Sequence, residues 1–189
     1  SLYTASLILQ KAGLRVFDVK EIPTHGGSLR IYVSHNEDLR RTSERAENIL
    51  LEESKRGMLT MEVYSGFQQK AESIKNDFAN FLLDQKKRNK KVGAYGAAAK
   101  GNTLINFAGI KPDLLSYVCD AAKSKQGKYL PGSHIPILEP THLSLDKPDY
   151  VIIMPWNISQ EIKKSVRKLV SNSTKLLTFI PEKRLHSFN

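Results

Sequence analysis

The residues around Gly96 have the types and spacing of a phosphate-binding turn. Gly96 and Gly101 bracket three alanines and Lys100, between a short apolar run and a helical pattern. Small residues at a strand-to-helix turn let the backbone approach a ligand, and the free N–H groups of a helix start favour an anion. A lysine opposes the helix dipole there unless an anion meets it. We therefore predict that a phosphate or nucleotide is bound by Gly96, Ala97, Lys100, Gly101 and Asn102.

Asp120 ends the next apolar run, at about the 20-residue distance where a dinucleotide-binding fold places an acidic group for a ribose hydroxyl. The glycines do not match the G-x-G-x-x-G fingerprint of that fold. They do not match a P-loop either, because Asn102 stands where lysine is needed, although Thr103 fits the serine or threonine position. A kinase or ATPase is therefore disfavoured. Tight packing of a helix on a strand is an equally simple explanation of the small residues.

Polar and aromatic side chains follow two of the predicted strands. Gln126, Lys128 and Tyr129 lie in the loop after Asp120, where they can reach a phosphate or a sugar hydroxyl, although a solvated loop explains them equally. Trp156 either closes a ligand pocket or plugs the end of the sheet. We predict that Asn157 binds the ligand too, and its position before an amphipathic pattern also makes it the expected N-cap of the next helix.

A glycine-rich turn joins two alternating runs near the start of the chain. It contains His25, Gly26, Gly27 and Ser28. Glycine supplies the backbone freedom that a hairpin turn needs, and the histidine and serine offer polar groups to a ligand. We take His25 as a candidate catalytic residue and the other three as candidate substrate contacts. An exposed histidine beside an ordinary hairpin turn is the alternative.

These residues are positioned by strands that alternate with helices from residue 91 onward, which predicts an α/β fold with a parallel sheet and right-handed crossovers. Upstream, residues 1–12 have the pattern of an amphipathic helix that Gly13 ends, and a hairpin follows. Thr60 is expected to begin one long helix with an apolar stripe. The tail from Pro181 is polar and is expected to be loose.

Composition excludes several classes of protein. The 189 residues carry a net charge of +10, but the densest basic run, residues 86–91, ends a helix and lacks the interleaved aromatics of a nucleic-acid platform. We expect no nucleic-acid partner. No run is apolar enough to span a membrane, and no signal peptide is recognisable. The single Cys119 excludes internal disulfides and cysteine-based zinc sites, and favours a reducing cytoplasm.

Three stretches carry a family resemblance: IPTHGGSLR at 22–30, GAYGAAAKGNT at 93–103 and QGKYLPG at 126–132. With Pro155-Trp156-Asn157 they resemble the C-terminal half of the nucleotide-sugar C-methyltransferases. Those enzymes move a methyl group from S-adenosylmethionine to a carbon of a deoxy-ketosugar attached to a nucleoside diphosphate. The resemblance implies that Gly96 to Asn102 and Gln126 to Tyr129 face the diphosphate and nucleoside, and that His25 to Ser28 face the sugar or cofactor.

The resemblance also implies a domain organisation. Residues 1–34 correspond to the last helix and last two strands of an S-adenosylmethionine-dependent domain, 35–90 to linking helices, and 91–181 to a Rossmann-like domain that binds the nucleotide sugar. The zinc module of the family and its main catalytic base are expected ahead of Ser1. This chain is therefore expected to be a fragment that is inactive alone. A free-standing nucleotide-binding module and an NAD-dependent oxidoreductase are the alternatives.

Overall fold

The computed structural model describes residues 1–24 and 27–186, and the chain forms two compact units. The first unit contains residues 1–68 and the second begins at residue 69. One cluster of buried apolar side chains lies in the first unit and two lie in the second. His25 and Gly26, for which a role was predicted, lie outside the described residues.

The first unit is an antiparallel hairpin flanked by two helices. Its elements are α1 (Leu2–Lys11), β1 (Leu14–Ile22), β2 (Ser28–His35) and α2 (Glu44–Lys55). The predicted helix and hairpin are thus confirmed, and Gly13 leaves α1 with a φ of 74°. The buried Glu53 carboxylate accepts the N–H groups of Leu2 at 2.6 Å and Tyr3 at 2.9 Å, so α2 supplies the anion that the start of α1 favours.

The long helix expected after Thr60 is interrupted, and that prediction was wrong. The structure has α3 (Glu62–Ser65) and α4 (Phe67–Lys87), with Gly66 between them. Glycine is a poor helix former, and this one ends the first segment after a single turn. Phe78 and Leu82 of α4 are buried as the apolar stripe predicted. No helix within residues 1–24 and 27–186 is both long and apolar enough to cross a membrane.

The second unit is built on a six-stranded sheet in the order β5-β4-β3-β6-β7-β8. Its strands are β3 (Val92–Tyr95), β4 (Val118–Cys119), β5 (Ile137–Leu138), β6 (Tyr150–Ile153), β7 (Lys175–Thr178) and β8 (Arg184–His186). The first five are parallel and β8 is antiparallel to β7. The α/β prediction is confirmed. The expectation of a loose tail was wrong for residues 184–186, because they satisfy the otherwise open edge of β7.

Helices cover both faces of this sheet. Three are α5 (Ala99–Phe107), α6 (His142–Asp146) and α7 (Ser159–Val166). Ile105 of α5 packs in one apolar cluster with Phe78 and Leu82 of α4, whereas Leu143 of α6 and Val166 of α7 belong to the other. The chain runs from β3 outward to β5, then returns to β6 on the opposite side of β3. Ligands of open α/β sheets bind where the strand order reverses in this way.

Candidate functional site

A cavity of about 590 Å³ lies where β3 and β4 end and α5 begins. One wall is formed by Ala97 to Ala99 and by Asn102, and the other includes Lys125, Lys128 and Tyr129 from the loop after β4. The structure therefore brings together residues from two of the predicted site segments. The cavity offers small side chains and backbone on one side and two lysines on the other.

The strand-to-helix turn requires glycine at one position. Gly96 has a φ of 93°, and a Cβ there would lie 2.4 Å from Cδ of Pro155. Its N–H donates to the Cys119 carbonyl oxygen at 2.7 Å, which ties the end of β3 to β4. Ala98 occupies the N-cap position of α5, and its side chain makes no capping hydrogen bond. The first backbone N–H groups of α5 thus lack the side-chain acceptor that usually satisfies a helix start.

Asp120 holds this turn from the end of β4. Its Oδ2 accepts the N–H of Ala97 at 2.7 Å and the ammonium of Lys125 at 3.2 Å. Its Oδ1 accepts the N–H of Ala122 at 2.8 Å, and the residue is 8% exposed. Both carboxylate oxygens are therefore engaged within the protein. The predicted contact with a ribose hydroxyl stays a prediction, and the structure shows a second role that the sequence did not suggest.

The loop after β4 is ordered by its own contacts. Lys125 donates to the carbonyl oxygen of Ala97 at 3.0 Å, and the side-chain amide of Gln126 donates to the backbone oxygen of Asp120 at 2.9 Å. Lys128 and Tyr129 are exposed at the cavity. The sequence did not single out Lys125, because this loop contains several lysines. Only the folded path of the loop shows that Lys125 is the one that contacts Ala97 and Asp120. Its position five residues after Asp120 was the available signal.

Lys100 lies on the other side of the start of α5. Its Nζ donates to Oδ1 of Asn157 at 2.8 Å and is 5.4 Å from the centre of the Trp156 ring. None of these three residues lines the cavity. The prediction that Asn157 is the N-cap of α7 was wrong: a 3₁₀ turn over Trp156–Ile158 precedes the helix, and Ile158 occupies the cap position. The Asn157 amide oxygen meets Lys100 instead.

Two of the glycines are explained by close packing. A Cβ on Gly101 would lie 2.7 Å from Cβ of Met154, and one on Gly93 would lie within 3 Å of the Tyr117 ring. Gly101 is buried and does not line the cavity. Asn102, one turn into α5, does line it, and its Oδ1 is buried with no hydrogen-bond partner in the described parts of the chain. Such an acceptor is usually satisfied by a donor from water or a ligand.

Two ionisable groups beneath the turn, the Cys119 thiol and the Tyr95 hydroxyl, are protonated at neutral pH. Burial raises the pKa of the Cys119 thiol to about 12. Burial and the nearby Asp120 carboxylate raise the pKa of Tyr95. Neither group can serve as a general base near pH 7. The cavity is therefore equipped for binding and orientation by cations, backbone donors and one amide.

In the first unit, Ser28 begins β2 and its hydroxyl donates to the Thr24 carbonyl oxygen at 3.0 Å. Gly27 has a φ of 120°, so glycine suits this turn. A smaller cavity of about 240 Å³ lies elsewhere in the unit, lined in part by Gln10, Arg15 and Thr42. Neither Gly27 nor Ser28 lines it.

The fold is a Rossmann-like α/β domain, and a strand-to-helix turn of small residues lies beside the reversal of its strand order. Residues 23–181 match the family of the C-methyltransferase C-terminal domain, and the chain belongs to that family. C-methyltransferase NovU from Streptomyces niveus is 29% identical over 187 residues. That match covers 99% of this chain and 44% of NovU, so the chain spans less than half the length of this relative. The resemblance found in the sequence motifs is confirmed.

Proposed function

We propose that this chain is the C-terminal part of an S-adenosylmethionine-dependent C-methyltransferase and that its second unit binds a nucleoside-diphosphate deoxy-ketosugar. Family membership supports the transferase, and the cavity supports the nucleotide sugar. The observation that carries the proposal is an uncapped start of α5 that opens onto a cavity with two lysines. The free thiol of the single cysteine favours a cytoplasmic enzyme.

The proposed binding mode places each part of the nucleoside-diphosphate sugar at this edge of the sheet. The diphosphate lies over the first turn of α5, where backbone N–H groups and the positive end of the helix dipole meet it. Lys128 adds charge from the facing loop. The nucleoside occupies the cavity beside Tyr129, and Asn102 Oδ1 accepts a hydrogen bond from it. The sugar extends across the strand reversal toward Trp156, where Lys100 can exchange its amide partner for a phosphate oxygen.

Binding of this kind contributes orientation to the reaction. Methylation of a carbon beside a ketone needs a base to remove its proton and a methyl donor held within reach. The second unit fixes the nucleotide end of the substrate and so limits where the sugar carbon can lie. Domain assignments for residues 1–34, 35–90 and 91–181 are part of this proposal. The main base is proposed to lie ahead of Ser1, with His25 as a further candidate.

S-adenosylmethionine is not accommodated by the described residues of the first unit alone. They form an antiparallel hairpin between two helices, without a parallel strand that leads into a helix start. That strand-to-helix turn is what holds a nucleotide-like cofactor in open α/β folds. No step through the cofactor is therefore derived from this chain. The family's zinc module is likewise proposed only for the full-length protein.

The NAD-dependent oxidoreductase is a weaker candidate on the geometry of Asp120. In that class the acidic residue at this position accepts a hydrogen bond from a ribose hydroxyl. Here both oxygens accept hydrogen bonds from within the chain, and the residue is 8% exposed. A free-standing nucleotide-binding module is the remaining alternative. It would use the same cavity at the start of α5 as the proposed methyltransferase.

Thermal unfolding with added ligands tests the proposal. We expect dTDP or UDP at 100 times its Kd to increase the free energy of unfolding by about 2.7 kcal/mol and so to raise Tm. NAD and S-adenosylmethionine should have little effect on Tm. Lys128→Ala should reduce the shift, whereas Lys164→Ala, the same loss of charge on an exposed part of α7, should not. Stabilisation by NAD alone would replace the proposal with the oxidoreductase.

A further inference from the structure

One ion pair holds both the backbone N–H and the carbonyl group of Ala97. Asp120 Oδ2 accepts the Ala97 N–H at 2.7 Å, and Lys125 Nζ donates to the Ala97 carbonyl oxygen at 3.0 Å. The two charged groups are 3.2 Å apart. We propose that Asp120 and Lys125 are positioning residues, a clamp that fixes Ala97 and with it the first turn of α5 for a phosphate-bearing ligand. This inference rests on the proposed function of the same cavity.

The clamp fixes the start of α5, as a capping side chain would, but it leaves the first N–H groups of the helix without a side-chain acceptor. A serine, threonine or aspartate at the N-cap would hold the first turn but would also use the donors that an anion needs. Ala98 leaves those donors open, and another element must then fix the turn. Asp120 and Lys125 do so through the preceding residue, from outside the helix. The start of α5 is therefore held rigidly while its first backbone N–H groups stay available to an anion.

The clamp itself stands on a rigid base. The Asp120 side chain is 11% exposed and also accepts the Ala122 N–H. The loop that carries Lys125 is tied to β5, because the Gly127 N–H donates to the Ile137 carbonyl oxygen at 2.9 Å. A site whose parts are fixed before the ligand arrives loses less entropy on binding. Asn102 Oδ1, which has no hydrogen-bond partner among residues 1–24 and 27–186, lies in the same cavity and is a separate sign that a ligand completes it.

The clamp and a ribose contact at Asp120 predict different results. A carboxylate that binds ribose affects only ligands that carry a ribose. A carboxylate that positions Ala97 affects every ligand that uses the start of α5, including inorganic pyrophosphate. The Asp120–Lys125 pair is also internally neutralised, so Lys125 acts through Ala97 and leaves the attraction of the anion to α5 and Lys128.

Isothermal titration of wild type, Asp120→Asn, Lys125→Met and the double variant with UDP and with inorganic pyrophosphate separates these roles. We expect each single variant to weaken both ligands by a similar factor of about 10. The double variant should lose little more affinity than either single variant, because both side chains act on the same residue, Ala97. Lys125→Arg should restore much of the affinity, and Lys123→Met, in the same loop, should leave it unchanged.

Amide hydrogen exchange of Ala97 in the ligand-free protein gives an independent readout. Exchange at Ala97 should accelerate in Asp120→Asn and Lys125→Met while strand amides keep their protection. If Asp120→Asn does not fold, Lys125→Met carries the test, because it keeps the Asp120 carboxylate as the acceptor for the Ala97 and Ala122 N–H groups and loosens Ala97 only through the lost Lys125 contacts. Unchanged pyrophosphate affinity with slow exchange at Ala97 would overturn the clamp. A wild-type protein that binds no nucleoside diphosphate would overturn the proposed function, while the exchange rates would still decide on the clamp.

Discussion

Lys100 and Asn157 are joined across the point at which the strand order of the sheet reverses, with Nζ of Lys100 2.8 Å from Oδ1 of Asn157. The bond links the start of α5 to the 3₁₀ turn after β6. It borders the crevice where open α/β sheets hold their ligands. A phosphate oxygen is a stronger acceptor for an ammonium group than a neutral amide oxygen. We therefore expect the pair to open if a diphosphate binds there, as proposed.

Lys100→Met should lower the affinity for a nucleoside diphosphate by about tenfold, because a charge-assisted hydrogen bond is lost while the aliphatic stem remains. Tm should change little, since Lys100 is exposed. Titration calorimetry with dTDP measures the effect, and Lys164→Met is the control for net charge. If Lys100→Met and wild type bind dTDP equally well, Lys100 has no part in phosphate binding and only forms the hydrogen bond to Asn157.

Gly101→Ala should destabilise the second unit by about 1–3 kcal/mol, the usual cost of forcing extra volume into a packed core. The added Cβ would lie 2.7 Å from Cβ of Met154, an atom next to the backbone just after β6. Urea unfolding measures the change. Thr103→Ala, at an exposed position of the same helix, should stay within about 0.5 kcal/mol of wild type. A Gly101→Ala protein as stable as wild type would contradict the packing explanation.

Cys119 should not react with thiol reagents in the native protein. Burial raises the pKa of its thiol to about 12, so the reactive thiolate is rare at about pH 8. The side chain is also 0% exposed. Labelling with a chromogenic disulfide should therefore follow unfolding as urea is added, and the single cysteine makes the readout unambiguous. Rapid labelling without urea would show that the end of β4 opens in the native state.

Asp146 should contribute to stability against acid. Burial alone would raise the pKa of Asp146, but hydrogen bonds from Lys91 and the Tyr117 hydroxyl, each 2.8 Å long, outweigh it and lower the pKa. A carboxyl with a lowered folded pKa stabilises the protein above its unfolded pKa of about 3.9, and this contribution is lost as pH falls through the folded value.

The substitution Asp146→Asn should therefore cost about 1 kcal/mol at neutral pH and flatten the loss of stability between about pH 4 and pH 2. Urea unfolding across this range measures both effects. Asp113→Asn, whose carboxyl is 63% exposed and 3.4 Å from Lys86, is the matched control. Parallel acid profiles for Asp146→Asn and wild type would rule out the proposed linkage.

Local pattern was sufficient for much of the fold. The alternation from Leu14 to Ile22 predicted β1 to the residue, and the small residues before α5 predicted a strand-to-helix turn. Local pattern failed at Gly66, where one apolar stripe runs through a helix break, and at Arg184, where a polar tail pairs with β7. The break reflects the low helix propensity of Gly66 itself, which the apolar stripe hides, whereas the pairing at Arg184 depends on the open edge of β7.

By itself the sequence determined the α/β class, the family and two of the segments that line the candidate cavity, because periodicity, turn residues and motifs are local properties of the chain. Only the tertiary structure decided which lysine holds the turn. Pairing of β3 with β4 brings Lys125 and Asp120 onto Ala97, while Lys100 turns toward Asn157. A long side chain has many acceptors within reach, and its choice among them is set by strand pairing and loop closure, which bring together residues far apart in the chain.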